Sequence, residues 1–209
     1  MSTENKTFSF EDHFSKHSEQ YAQYRPQYPD EIYAYLASLA PGHSLAWDCG
    51  TGNGQAAIGL AKYFDKVHAT DASAEQISRA YHHDKVEYGM EPAEHVSLGA
   101  SSTDLVTVAV AIHWFNFDEF YREVKRVLKS EGILAVWTYS LPKISPQIDS
   151  FVNQYYYEIL SGYWPERIHQ RCEKRIRAFH HPPSSLMSCR SPLTARTPFP
   201  TVVLSAEGR

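Results

Sequence analysis

Apolar and polar positions along the chain switch repeatedly between a helical spacing and short continuous apolar runs. After Pro29, a helix-favouring start, Ile32, Tyr35, Leu36 and Leu39 repeat at helical spacing as far as Pro41-Gly42. Ser44–Cys49 then reads as a strand, 55–63 as a helix, 66–71 as a strand and 74–81 as a helix with Ser73 as its cap. Residues 86–90 make a short strand, and 104–111 (DLVTVAVA) a run apolar enough to be buried on both faces. A helix over 116–128, a strand over 132–139 and a helix over 150–163 complete the series. Strands alternating with helices predict an α/β fold: a Rossmann-like, doubly wound, mostly parallel sheet with helices on both faces. Ligands of such sheets bind beyond the carboxyl ends of the strands.

Where the first strand ends, Asp48 is followed by glycines at alternate positions, Gly50, Gly52 and Gly54, and then by a helix. Such a loop lets a ligand lie against bare backbone at a helix start. No Lys follows Gly54, which excludes a P-loop, and the spacing is not the Gly-x-Gly-x-x-Gly of dinucleotide binders. Asp48 before the first glycine suits a ligand that carries an amino group and is a poor neighbour for a pyrophosphate. Asp71 closes the second strand, placed to accept hydrogen bonds from ribose hydroxyls.

Composition narrows the partners. The 209 residues hold 43% hydrophobic side chains, enough for a sizeable core, and a net charge of −4 that gives no nucleic-acid footprint. No apolar run reaches the length of a membrane span, and the polar start MSTENKTFSF has no signal-peptide core. Cys49, Cys172 and Cys189 show neither disulfide nor zinc spacing, so a reducing, cytoplasmic location is expected. The pairs His82-His83 and His180-His181 have no accompanying ligand set, and no metal is expected. Residues 170–209 hold seven of the 20 Lys+Arg, two of the 24 Asp+Glu and five of the 12 prolines, without clear periodicity.

Taken together, Asp48-x-Gly50-x-Gly52-x-Gly54, Asp71, Pro92-Ala93-Glu94 and Ala109-x-Ala111-x-His113-Trp114-Phe115 resemble the class I S-adenosylmethionine-dependent methyltransferases. Tyr24-Arg25-Pro26-x-Tyr28-Pro29 resembles a narrower branch, the trans-aconitate-methyltransferase-like members of the type 11 methyltransferase domain. The resemblance covers roughly residues 10–168. It implies S-adenosylmethionine as cofactor: Gly50, Gly52 and Gly54 under its methionine part, Asp48 toward its ammonium, Asp71 on the ribose, Ala93 and Glu94 at the adenine, and Ala109 and Ala111 lining it. It implies methyl transfer to a small-molecule acceptor, a carboxylic acid among the candidates, with Tyr21, Arg25, His113 and Trp114 as candidate acceptor contacts. His113 is the candidate base, since imidazole titrates near neutral pH; its other reading is a packing or positioning histidine.

The expected domains are a helical cover over the site (1–28), the cofactor-binding domain (29–168) and an irregular basic Pro/Ser-rich tail (169–209). Relatives of this class close their sheet with an antiparallel strand pair. The tail shows one strand-like run, 200–205, so the pair is expected to be missing or replaced. That expectation motivates an alternative reading, a form that keeps the cofactor but does not turn over. A nicotinamide-dependent oxidoreductase is a further alternative, disfavoured by the glycine spacing and Asp48.

Overall fold

A computed structural model of the chain describes residues 28–137, 144–160 and 163, together with the backbone of 186–190 and 201–206. Its elements run α1 (Asp30–Leu39), β1 (Leu45–Cys49), α2 (Gln55–Leu60), β2 (Lys66–Asp71), α3 (Ala74–Ser78), β3 (Val86–Met90), β4 (Thr103–Ala109), α4 (Phe117–Val127), β5 (Leu128–Trp137), α5 (Pro146–Gln154), β6 (Leu186–Arg190) and β7 (Thr201–Ala206). They form a seven-stranded sheet in the order β3-β2-β1-β4-β5-β7-β6. The five strands β1 to β5 are parallel, as expected.

The strand pair expected to be missing or replaced is present. β7 pairs antiparallel with β5, from Ile133↔Ser205 to Trp137↔Thr201, and β6 pairs antiparallel with β7. The two strands are joined through residues 191–200 rather than by a two-residue turn, so no hairpin signal marks them. LMSCR has no β-branched or aromatic residue to mark it as a strand.

Alternation along the strands divides the core between the two faces of the sheet. Ala46, Leu105, Ile133, Ala135 and Trp137 meet Ile32, Tyr33 and Leu36 of α1 and Ala56, Ala57 and Leu60 of α2 on one face. Trp47, Val106, Val108, Leu134 and Val136 meet Phe120, Val124 and Val127 of α4 on the other. Every residue of β4 is buried, which a central parallel strand requires. α4 is amphipathic and carries Asp118 and Glu119 in its first turn and Lys125 and Arg126 in its last, the arrangement that its dipole favours.

Some boundaries differ from the sequence pattern. β4 stops at Ala109 because Val110 turns into the left-handed region, at φ 57°. β5 starts four residues earlier than expected, at Leu128, and passes through Glu131 at φ 63°. Ser73 accepts the Gln76 amide and caps α3.

Candidate active site

The sheet order reverses between β1 and β4, whose register pairs Asp48 with Thr107. A crevice outside the carboxyl ends of the strands forms at such a point, and the glycine loop leaves β1 there. Gly50, Gly52 and Gly54 have φ of 69°, 58° and 87°, all in the left-handed region that side chains disfavour. The three differ in what surrounds them. A Cβ on Gly50 would stand 2.6 Å from Ala111 Cβ and 3.0 Å from the Phe115 ring, and one on Gly54 would overlap the Tyr88 hydroxyl. A Cβ on Gly52 would meet only Gln76 Oε1, at 3.8 Å, so the open face of the loop lies at Gly52.

Asp71 holds this loop against the end of β2. Its Oδ2 accepts the Gly52 amide and its Oδ1 the Ser73 amide, each at 2.9 Å. The Gly50 and Thr51 amides donate to the Thr70 carbonyl at 2.9 Å, which fixes the first half of the loop.

Asp48 lies beneath the loop. It is wholly buried, with Oδ2 accepting the Thr51 hydroxyl at 2.5 Å and Oδ1 the Thr107 hydroxyl at 2.8 Å. Burial pushes its pKa from 3.8 up to about 6, against the lowering effect of the two threonine hydrogen bonds. Neither threonine stands out as a site residue in the sequence pattern. Thr107, a polar residue between the apolar pairs Leu105-Val106 and Val108-Ala109 of β4, is the one available signal of a buried partner.

Ala93 is buried in the segment after β3, and Glu94, half-buried, accepts the Asn116 amide at 2.6 Å rather than pointing free. Ala109 is buried at the end of β4 and Ala111 half-buried beyond it. Ile112–Trp114 form one 3-10 turn, with the His113 and Trp114 rings 4.9 Å apart. His113 is half-buried and Trp114 is exposed. Tyr21 and Arg25 lie outside the described residues, as does the cover over 1–27.

Two features at this rim have no counterpart in the sequence pattern. Val110, β-branched and at φ 57°, donates its amide to the Trp137 carbonyl at 2.9 Å. Such a conformation costs about 1–3 kcal/mol, and strain of this kind concentrates at functional sites. Trp137, the last residue of β5, is buried edge-on to Tyr28 at 5.5 Å, and its indole N–H has no acceptor among the described residues. Among the described residues no three His, Cys, Asp or Glu side chains gather as a metal site, and no helix is long and apolar enough to cross a membrane.

Residues 47–136 match the family described as a methyltransferase domain. A provisionally named methyltransferase of Dictyostelium discoideum is 44% identical over 163 residues, covering 76% of this chain and 62% of that protein. A Saccharomyces cerevisiae protein, provisionally named an S-adenosylmethionine-dependent methyltransferase, is 31% identical over 60% of this chain and 46% of its own length. The chain thus spans between about half and two thirds of these curated relatives. A solved structure from Anaeromyxobacter dehalogenans, described as a type II methyltransferase, superposes with a TM-score of 0.69 at 36% identity, covering 81% of this chain and 70% of that one. The fold alone extends further. A Methanococcus maripaludis structure at 18% identity covers 100% of this chain and 98% of its own, with a TM-score of 0.65.

Proposed function

The chain belongs to the methyltransferase domain family of S-adenosylmethionine-dependent enzymes, and from that premise we propose that it transfers a methyl group from S-adenosylmethionine to an oxygen of a small carboxylic acid. The observation that carries the cofactor assignment is the glycine loop itself: three left-handed glycines, open at Gly52, clasped by Asp71 at the carboxyl end of β2. In this reading Gly52 and its neighbours lie under the methionine part and Asp71 receives the ribose hydroxyls. Ala93 faces the adenine, and Ala109 and Ala111 wall the methyl-bearing end. Asp48, buried under Thr51, acts on the ammonium through the loop or a water rather than by direct contact.

When bound, S-adenosylmethionine supplies an electrophilic methyl on a sulfonium. The protein's own contribution is alignment and the exclusion of water. A carboxylate acceptor is already ionised at neutral pH and needs no general base. His113 would then position the acceptor, and it would serve as base only for a hydroxyl or amine. A further relative favours a carboxylate acceptor. A protein of a Methylovorus species named malonyl-[acyl-carrier protein] O-methyltransferase is 33% identical over 47% of this chain. The trans-aconitate-like pattern Tyr24-Arg25-Pro26 adds to the sequence a guanidinium of the kind suited to a carboxylate. With Cys49 a free, buried thiol, the enzyme suits a reducing, cytoplasmic compartment.

The test is methyl transfer from methyl-labelled S-adenosylmethionine to a panel of di- and tricarboxylic acids, phenols and amines. Label released by mild base identifies esters. Base-labile product is expected, and His113→Asn should still form it, since no proton has to be abstracted from a carboxylate. Label confined to base-stable products would overturn the carboxylate assignment.

A further inference from the structure

Three carboxylates govern the segment that follows β3. Glu91 folds back across it, accepting the Ser97 amide at 2.6 Å and the Ser97 hydroxyl at 3.0 Å, with His68 Nε2 3.0 Å from the same carboxylate. Glu123, buried on α4, accepts the Val96 amide at 2.7 Å. Arg126, paired to Glu123, donates to the carbonyls of Val96 at 3.0 Å and Leu98 at 2.8 Å. These bonds fix where the segment starts and ends.

Glu94, between those anchors, reaches out of the segment. Its Oε1 accepts the amide of Asn116, the residue that follows His113-Trp114-Phe115 and precedes α4, whose own side chain makes no cap bond. The neighbouring Phe115 ring is buried and lies 3.0 Å from where a Cβ of Gly50 would stand. One short hydrogen bond therefore ties the segment carrying Ala93 to the turn that walls the glycine loop and presents His113 and Trp114.

We propose that Glu94 is a positioning residue that couples the adenine end of the cofactor site to the His113–Phe115 turn, so that filling the one sets the placement of the other. The inference rests on the cofactor reading above. Both elements keep separate anchorage, the segment through Glu91 and Glu123 and α4 through Phe120, Val124 and Val127. Ala93 and Val96 also share one apolar cluster with Ile112 and Phe115, so loss of the Glu94 bond removes the polar tie between the two elements without unfolding either.

Trp114, exposed on the turn, reports its placement. S-adenosylhomocysteine is titrated by calorimetry and, in parallel, by tryptophan emission, with Trp114→Phe assigning the signal. In the unaltered chain, binding should change the Trp114 emission. Glu94→Ala should still bind, about fivefold more weakly, a coupling at the lower end of those between linked sites, and the Trp114 response should be lost. Glu94→Gln should restore the response, because its carboxamide oxygen accepts the same amide. A full Trp114 response in Glu94→Ala, no response in the unaltered chain despite binding, or a Glu94→Gln that behaves like Glu94→Ala would each overturn the coupling. Absence of calorimetric binding in the folded, unaltered chain would remove the cofactor reading itself, and the coupling with it.

Discussion

Replacing Asp48 by Asn should stabilise the chain at neutral pH and should remove the pH dependence of cofactor affinity near pH 6. Asp48 is fully buried, and its pKa rises from 3.8 to about 6 chiefly through loss of hydration, with two threonine hydroxyls only partly compensating. The folded state therefore holds on to a proton that the unfolded chain releases earlier. A raised carboxyl pKa contributes stability that is fully present below the unfolded value and is lost as pH rises through the folded value. Between pH 3.8 and about 6 that loss amounts to about 3 kcal/mol. The carboxamide introduced by Asp48→Asn mimics the protonated acid, keeping an oxygen for one threonine and an N–H for the other, and it does not titrate. Urea unfolding of both forms from pH 4 to pH 8 isolates the effect, since other acids cancel in the difference. The gap should be small at pH 4, grow toward pH 6 and level off, with the Asn form the more stable. Parallel curves, or a gap that widens toward acid, would refute the reasoning. The cost has a use if the ligand is cationic here: a bound ammonium favours the ionised acid, so affinity for S-adenosylhomocysteine should rise with pH through about 6 and be flat in Asp48→Asn.

Other consequences are local. Gly54→Ala drives a methyl into the Tyr88 hydroxyl at φ 87°, and should lower the unfolding midpoint and weaken cofactor binding. Gly52→Ala has room for its methyl and should lose only the conformational term of about 1–2 kcal/mol while still obstructing the ligand; thermal melts with and without S-adenosylhomocysteine separate the two. Gly59→Ala should destabilise because the added methyl overlaps the Tyr33 ring, and Tyr33→Leu should relieve it in the double variant, as a thermodynamic cycle would show. Asp104, at the other end of the sheet, is pushed up by burial, but hydrogen bonds from Lys129, Ser44 and Leu45 leave its pKa lowered overall. Its contribution to stability is present above the unfolded carboxyl value and is lost as pH falls through the lower folded one. Asp104→Ala should therefore destabilise at pH 7 by about 1–3 kcal/mol, by leaving the Ser44 and Leu45 amides unpaired and the partly exposed Lys129 without its carboxylate, and the variant should show a shallower loss toward acid in the same unfolding series.

The parts of the site that depend on residue type are legible in the sequence, because few residues other than glycine take positive φ readily and an acid at a strand end has few uses. Gly50, Gly52, Gly54 and Asp71 sit at one rim for that reason. What stays hidden depends on tertiary neighbours. Val110 turns left-handed inside an apolar run that promises an extended strand, and no local residue announces it. The hydrogen bond from the Asn116 amide to Glu94 joins residues 22 positions apart and has no sequence signal. Of the closing strand pair, β7 falls on the strand-like run 200–205, whereas the pairing escapes the sequence pattern because the two strands are separated by ten residues and β6 lacks the β-branched alternation that marks a strand. Asp48 sits on the strand that its neighbours predict, but its complete burial and its two threonine partners come from other parts of the fold.

The central claim is that the loop from Asp48 to Gly54 and Asp71 together bind S-adenosylmethionine. The most direct measurement is calorimetric titration of the purified chain with S-adenosylhomocysteine, repeated with Asp71→Ala, each shown to be folded by a cooperative melt. The account predicts one site with a micromolar or tighter Kd in the unaltered chain, weakened by about tenfold or more in Asp71→Ala, since a charged hydrogen-bond partner contributes about 1.5–3 kcal/mol. A folded chain that takes up no S-adenosylhomocysteine, or equal affinity in the two proteins, would contradict it.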